Sequence, residues 1–477
     1  MESTSSIPAR PWPAWQCFLF RFALLSFLLY AFPSPISLVL GTIAELGTVL
    51  GADVEKQWPW RVASWLGQSI NLEKPWQALT SWMYAKGLAP YEVIHQRTGS
   101  GDSGHEIARH IAIVVLAGVG ALAWTAIASR RARAAGSATR GYPRLGRWLH
   151  LAVRLDLAFT MITYGSIKLY GGQFGQLSLM RLTQEIGDTA PMSMVGTFMQ
   201  ASKPYEIFGG LGELLGGLLL FSRHTALLGA CVSMGVMANV CAINWLCGVP
   251  VKLFSAYLIL CAIGLLAPWA NRLWALFVSN QPSAPVDMRL PVSARTGRWL
   301  FGLGCLWIGV ALLTTHLQGR APKPWEKGRE RSEVYGLWRV EKMVLDGVEV
   351  PAGDASRWRD FAVDAGTTAW AREYSGERRF FDFQWDPASG TAQVKARDAG
   401  DQVTAERWTS ERGEKTVKVG VPWLLRPEDI GRLVDGERRT LVLRGKWNGK
   451  QLELYTVEKQ FQLQKGFRLR QELPDRW

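Results

Sequence analysis

The sequence predicts a mainly α-helical membrane bundle that carries a small antiparallel β-barrel or sandwich at its C-terminal end. Three observations predict it. Long apolar runs with little charge fill the chain up to about Gln318. From Lys323 to Trp477 charge is frequent and no long apolar run remains. Several stretches of that tail alternate apolar and polar residues, the period of a half-buried strand. A chain of 477 residues is long enough for more than one domain. The expected divisions are 1–147 (first helices and a tryptophan-rich loop), 148–270 (a helical core), 271–322 (a last helix with linkers) and 323–477 (the β-rich domain).

The first apolar span covers 16–32, interrupted by Arg21 and stopped by Pro33 and Pro35. It has a basic residue before it but no small-x-small cleavage site close behind, so it reads as a retained helix rather than a removed leader. The stretch 36–49 is apolar around Glu45 and either continues that helix or lies in the interface. Trp58, Trp60, Trp65, Trp76 and Trp82 mark 53–106 as an interfacial loop with short surface helices, because an indole ring suits a site that is half apolar and half wet. Further spans are expected at about 108–128, 148–170, 205–222, 226–245, 251–268 and 299–316.

Charge then orients them. Arg130, Arg131, Arg133, Arg140, Arg144 and Arg147 fill one loop, Arg272, Arg289, Arg295 and Arg298 another, and Arg223 a short turn. The positive-inside rule puts these on the cytoplasmic side with the N-terminus. Loops 53–106 and 171–204 and the C-terminal domain then face outward, the periplasm of a bacterium with its inner membrane spanned seven times. The formal charge of +14 is read as topology, with the lipid bilayer as partner and no nucleic acid. All six cysteines lie in or beside apolar segments, and no C-x-x-C occurs, so neither a thiol-redox pair nor a zinc knuckle is encoded.

In the tail, strands are expected at 334–344, 379–385, 392–396, 405–409, 440–447, 451–457 and 461–469. Asn448-Gly449 favours a type I′ hairpin turn, and Asp386-Pro387-Ala388-Ser389-Gly390 supplies another turn. Gly336-Leu337-Trp338 resembles the G-x-W opening of lipocalin-like barrels. The tail has no histidine, which removes the commonest general base and points to a binding module.

The chemistry-bearing residues cluster in the middle of the chain. Glu206 and Glu213 are two helical turns apart and share one face of an apolar, glycine-rich span. An ionisable group in hydrocarbon needs a partner, a proton or a water-filled cavity. Lys168 closes the preceding span, Asn239 and Asn244 lie in the outer half of the next, and Lys252 starts the one after. These six form the candidate intramembrane polar site, with Lys168 and Glu213 as its pair and Gly212 and Gly216 permitting the close approach. The competing reading is structural: a register-fixing ion pair, with lysines snorkelling to the interface. Arg154 and Asp156 point to different faces and read as solvated or loop-paired. His105-Glu106-Ile107-Ala108-Arg109-His110 exceeds H-E-x-x-H by one residue, which turns its histidines about 140° apart and removes a shared metal. Asp102 or Ser103 is the expected cap of the span that follows. No metal or haem signal is expected.

Spans three to six resemble the DoxX-like group of bacterial four-helix membrane proteins. The resemblance rests on Tyr164-Gly165-Ser166-Ile167-Lys168-Leu169, similar to that group's G-x-x-K, and on Gly210-Leu211-Gly212-Glu213-Leu214-Leu215-Gly216-Gly217-Leu218-Leu219-Leu220, similar to its E-x-x-G-G-x-x-L-L. It covers about a quarter of the chain. The resemblance implies an accessory or anchoring subunit of a cell-envelope complex, of quinone- or thiol-linked redox type. A quinone is the cofactor it implies, and a periplasmic or membrane protein the partner. The alternative is a membrane carrier handling a lipid or small solute.

Overall fold

A computed structural model of the protein describes residues 12–31, 47, 62, 73–95, 100–135, 141–170, 173–175, 177–286, 288, 293–320, 332–364, 368–397, 406–412, 440–447 and 449–459. The expected interfacial or helical stretch 36–49, apart from one residue, and the expected strand 461–469 lie outside them, as do Trp58, Trp60 and Trp65. The chain divides into two compact units: residues 1–174, 190–199 and 204–321, and residues 175–189, 200–203 and 322–477.

The first unit is helical. In chain order its helices are α1 (Ala14–Ala31), α2 (Glu73–Ala85), α3 (Gly104–Ala134) and α4 (Pro143–Leu169). After α5 (Leu179–Leu182), which belongs to the second unit, come α6 (Pro191–Ala201), α7 (Lys203–Phe221), α8 (Ala226–Leu246) and α9 (Lys252–Leu266). The series ends with α10 (Ala270–Phe277) and α11 (Ala294–Arg320). Five segments are long and apolar enough to cross a membrane: α1, α3, α8, Lys252–Phe277 and the 295–314 part of α11. They make this a membrane protein. The helices α4 and α7 stand outside that group, and they are the two whose ionisable residues lower their apolar character.

Two helix starts follow local rules. Ser103 caps α3, its hydroxyl accepting from the Glu106 amide. Pro143 occupies the first turn of α4, where a missing N–H costs nothing. Leu157, Ala158 and Met161 of α4, Leu220 of α7, Ala230 and Met237 of α8 and Leu258, Cys261, Ala262 and Leu265 of α9 share one buried core. Four helices therefore contribute to one core of small and medium apolar side chains. In α2, Trp76 is buried against Ala108, Ala112 and Ile113 of α3, while Trp82 is exposed.

The second unit is an antiparallel sheet. Its strands are β1 (Gly336–Leu345), β2 (Val348–Glu349), β3 (Trp358–Val363), β4 (Thr368–Glu373), β5 (Arg378–Asp386), β6 (Thr391–Ala396), β7 (Glu406–Arg412), β8 (Thr440–Trp447) and β9 (Lys450–Glu458). Neighbours follow the order β2-β1-β3-β4-β5-β6-β7-β8-β9, and β1 pairs with β9 as well, which brings the two ends of the order together. Trp447 pairs with Lys450, and Gly449 between them takes the positive φ of 76° that a two-residue hairpin connection favours. One face buries Trp338, Trp358, Phe361, Val363, Phe381, Phe383, Val394, Leu443 and Leu454 in a continuous apolar core. Trp338 donates its indole N–H to the Val334 carbonyl at 2.9 Å.

The other face of β1, β3, β4 and β5 is covered in part by the segment 175–189, which precedes α6 by only a residue or two. Leu179 and Leu182 of α5 pack with Tyr335, Leu337, Ala362, Trp370 and Phe380. This segment acts as a strap laid across the sheet. The strands β3 and β4 that lie beneath it were not among those expected from the sequence.

Candidate functional site between two glycine-lined helices

Helices α4 and α7 meet through their backbones. A methyl group placed on Gly165 would lie 2.6 Å from the Leu214 amide nitrogen and 2.7 Å from the Gly210 carbonyl oxygen. One on Gly210 would lie 2.8 Å from the Gly165 carbonyl, and one on Gly217 2.8 Å from the Ala158 carbonyl. Any side chain at these positions forces the helices apart. Glu206, Gly210, Glu213, Gly217 and Leu220 recur at steps of four and three, so they form one buried seam along α7.

That contact sets the Lys168 ammonium against the Glu213 carboxylate, and Lys168 Nζ donates to Glu213 Oε1. Both side chains are buried, as is Glu206. The other carboxylate oxygen, Glu213 Oε2, is buried and accepts no hydrogen bond from a described residue. The close approach is not made by the expected Gly212 and Gly216. The glycines that admit α4 are Gly165, Gly210 and Gly217, whereas Gly216 faces Ser233 of α8 (with the Met161 methyl slightly farther off) and Gly212 faces Val236.

The other expected site residues divide. Asn244 is buried near the end of α8, whereas Asn239 is exposed. Five residues turn a helix through about 140° beyond a full turn, so the two asparagines cannot share a face. Lys252 has a different partner: its Nζ lies 3.4 Å from Asp102 Oδ2. Asp102 also accepts the backbone amides of Lys252 at 2.9 Å and Leu253 at 3.0 Å, and Gly101 N donates to the Pro250 carbonyl at 2.8 Å. Asp102 therefore caps α9, a helix 150 residues away, rather than the helix it precedes. A carboxylate at a helix N-terminus both fills orphan N–H groups and meets the positive end of the dipole.

Three polar contacts among the helices had no local signal in the sequence. Tyr257 of α9 donates to Asp156 of α4 at 2.7 Å, so Asp156 is bonded within the bundle rather than solvated. Arg21 of α1 donates to Thr125 at 2.6 Å and to Tyr142 at 2.7 Å, with its guanidinium also over the Trp124 ring. His105 lies between Thr80 Oγ1 at 2.9 Å and Glu73 Oε1 at 3.2 Å, while His110 Nδ1 faces the Glu106 carbonyl at 2.7 Å. The two histidines thus serve separate partners. Among the described residues no group of three or more His, Cys, Asp or Glu side chains is placed to hold a metal. All six cysteines are free.

Fold and site together define a helical membrane protein with a buried lysine–glutamate pair and an appended antiparallel β-domain. The chain belongs to the family of the uncharacterized protein YwoB of Bacillus subtilis (strain 168), to which it is 35% identical over 138 residues, 28% of this chain and 84% of that protein. No protein-family description matches the chain. No solved structure matches it.

Proposed function

We propose that the chain is an accessory or anchoring subunit of a cell-envelope complex, of quinone- or thiol-linked type, whose working element is the Lys168–Glu213 pair. The observation that carries this reading is the geometry of Glu213: one oxygen takes the lysine, and the other is buried without a donor from the described residues. A buried carboxylate oxygen is costly unless something donates to it. A hydroxyl of a quinol-like lipid or a donor from a partner subunit is the group we assign to it. The four-helix core of α4, α7, α8 and α9 supports the DoxX-like reading of these spans.

The same proposal includes seven crossings of a bacterial inner membrane, with the N-terminus cytoplasmic and the β-domain, an eight-stranded barrel with β2 appended, periplasmic. Two observations support it. The arginine-rich loops fall on one side in this arrangement. The strap packs on the sheet within one compact unit, so the loop after α4 and the C-terminal strands share a side of the membrane. Helices α8, α9 and α11 supply three crossings between them, and a fourth is needed to return. Helix α7 is the one available, despite its two carboxylates.

Co-purification of the full chain from mild detergent tests the subunit role. A stoichiometric partner is expected with the wild type and is lost with Glu213→Gln while that variant still accumulates. Absence of any such partner from the wild type overturns the subunit reading, and failure of Glu213→Gln to accumulate reduces the pair to a structural one. A reporter fused after Trp477 that is active only in the cytoplasm overturns the topology.

A further inference from the structure

The strap covers only part of its sheet face. Beside it lies Asp360, fully buried on β3 and surrounded by cations. Arg372 donates to Asp360 Oδ2 through Nε at 3.1 Å and Nη2 at 2.5 Å. Arg359 Nε is 3.2 Å from the same oxygen, and Arg339 Nε is 3.9 Å from the other. Arg372 Nη1 and Arg378 Nη2 both donate to the Thr183 carbonyl of the strap, at 2.9 and 3.3 Å. Arg378 also stacks over Trp370, with 5.4 Å to the ring centroid. Lys459, whose amide donates to the Leu337 carbonyl, completes the group.

Among the described residues five cations thus act on Asp360, so cations outnumber this carboxylate. The excess is felt by its members. Burial holds the Arg378 guanidinium below its ordinary value, with Arg372 and Arg359 adding to the effect and Asp360 opposing it. Burial and Arg339 do the same to Lys459, and again Asp360 is the opposing acid. Neither strap carboxylate, Glu185 or Asp188, forms an ion pair with a described cation. Arg339 and Arg359 keep donors turned to solvent, with side chains 56% and 32% exposed.

We propose that Arg339, Arg359, Arg378 and Lys459 form a binding site for the phosphodiester headgroup of an anionic membrane lipid. The chemistry is that of any phosphate: a planar guanidinium pairs two oxygens at once, and several together replace the water lost on binding. Two observations select the lipid over free phosphate. The strap exposes Met180 and Ile186, each three residues from the Thr183 that Arg372 and Arg378 hold, Ile186 to 78%, which gives an acyl chain an apolar surface. Five residues separate Leu169, the end of α4, from the start of the strap at Gly175, a reach of about 20 Å at full extension. A short linker therefore joins the segment that carries this site to a helix proposed above to cross the membrane. It rests on that membrane reading and is independent of what the Lys168–Glu213 pair does.

The test uses the full chain in detergent, with tryptophan-reported thermal unfolding read against three probes: short-chain phosphatidylglycerol, short-chain phosphatidylcholine and inorganic phosphate. The glycerol lipid is expected to raise the unfolding temperature saturably, and the other two are not. The double variant Arg339→Gln/Arg359→Gln is expected to weaken the glycerol lipid by about tenfold for each arginine removed. Arg359→Lys keeps the charge and should recover part of the loss. If the double variant folds poorly, Arg339→Gln alone serves, since its side chain is mostly in solvent. Phosphate acting as well as the glycerol lipid overturns the lipid assignment. No response to the glycerol lipid, or one that the variants leave unchanged, overturns the site. Neither result bears on co-purification through Glu213.

Discussion

Glu213 and Asp360 are both buried carboxylates bonded to a cation, one between two helices and the other on a sheet. Around Glu213 the charges balance one to one, and the surrounding material is glycine backbone and apolar side chain. Around Asp360 cations outnumber the acid, and the outermost of them reach water. The difference follows from the surroundings. In a helix seam destined for hydrocarbon an extra cation has nowhere to go, so the pair must be self-sufficient. On a sheet face bordered by water the excess is screened, and it becomes an attraction for an outside anion. The first pair fixes where two helices meet; the second fixes a strap and leaves charge to spare.

Removing each acid tests this contrast, and Asp360 should cost more. Asp360→Asn leaves Arg372 buried beside other cations without a carboxylate. Loss of about 4 kcal/mol in the stability of the β-domain is expected, measured by denaturant unfolding followed through tryptophan emission. A cost no larger than that of an ordinary surface substitution would show that Asp360 is not the anchor of the cluster.

Lys168→Met is expected to cost about 3 kcal/mol, because it strands a buried carboxylate. Adding Glu213→Leu in the same chain should recover most of that loss, since an apolar pair suits an apolar seam. Helical ellipticity against denaturant in micelles reads both. At the Asp360 site the equivalent rescue, Asp360→Leu with Arg372→Met, should fail, because four other cations and the strap carbonyl remain. If both double variants recover alike, the two pairs are built on the same plan after all.

Gly165→Ala comes next, at about 2 kcal/mol, because its methyl group meets the Leu214 amide and the Gly210 carbonyl rather than a flexible side chain. Gly212→Ala, facing only Val236 at 3.4 Å, should be nearly neutral. Equal costs at the two positions, measured by the same ellipticity assay, would remove the close-approach account of the seam.

The two units were unequally legible in the sequence. Apolar runs marked the helices, and the spacing of Lys168, Glu206 and Glu213 within them pointed to a buried pair. Helix packing puts residues four and seven apart on one face, so one-dimensional spacing carries that information. The strands β3 and β4 were missed for a definite reason. Trp358-Arg359-Asp360-Phe361 has two charged residues together, and a bulge between Trp358 and Asp360 breaks the alternation. Asp360 is buried although charged, because Arg372 and the strap lie over it, and neither is near it in sequence. The cap that Asp102 places on α9 and the bond from Tyr257 to Asp156 were likewise invisible, since no local period joins residues 150 or 101 positions apart. Asn239 was grouped with Asn244 by leaflet alone; counting the turn between them separates the two.

The smallest expected effect is also the most direct measure of the cation excess. Burial, followed by Arg339, holds the Lys459 ammonium below its ordinary 10.5, so the unfolded chain binds that proton more tightly than the folded one. Stability then rises with pH across the window from the lowered folded value up to 10.5. Lys459→Met abolishes that contribution, so the stability difference between wild type and variant should increase as the pH rises toward 10.5. Other lysines titrate in the same range, and taking the difference cancels them. The slope should be small, because Lys459 is only partly withdrawn from water. Short-chain phosphatidylglycerol should flatten it further, since a bound phosphodiester supplies the negative charge that the cluster lacks. A difference that falls with pH would mean that Lys459 is held by a net attraction, and the contrast between a balanced pair and an overcharged one would not stand.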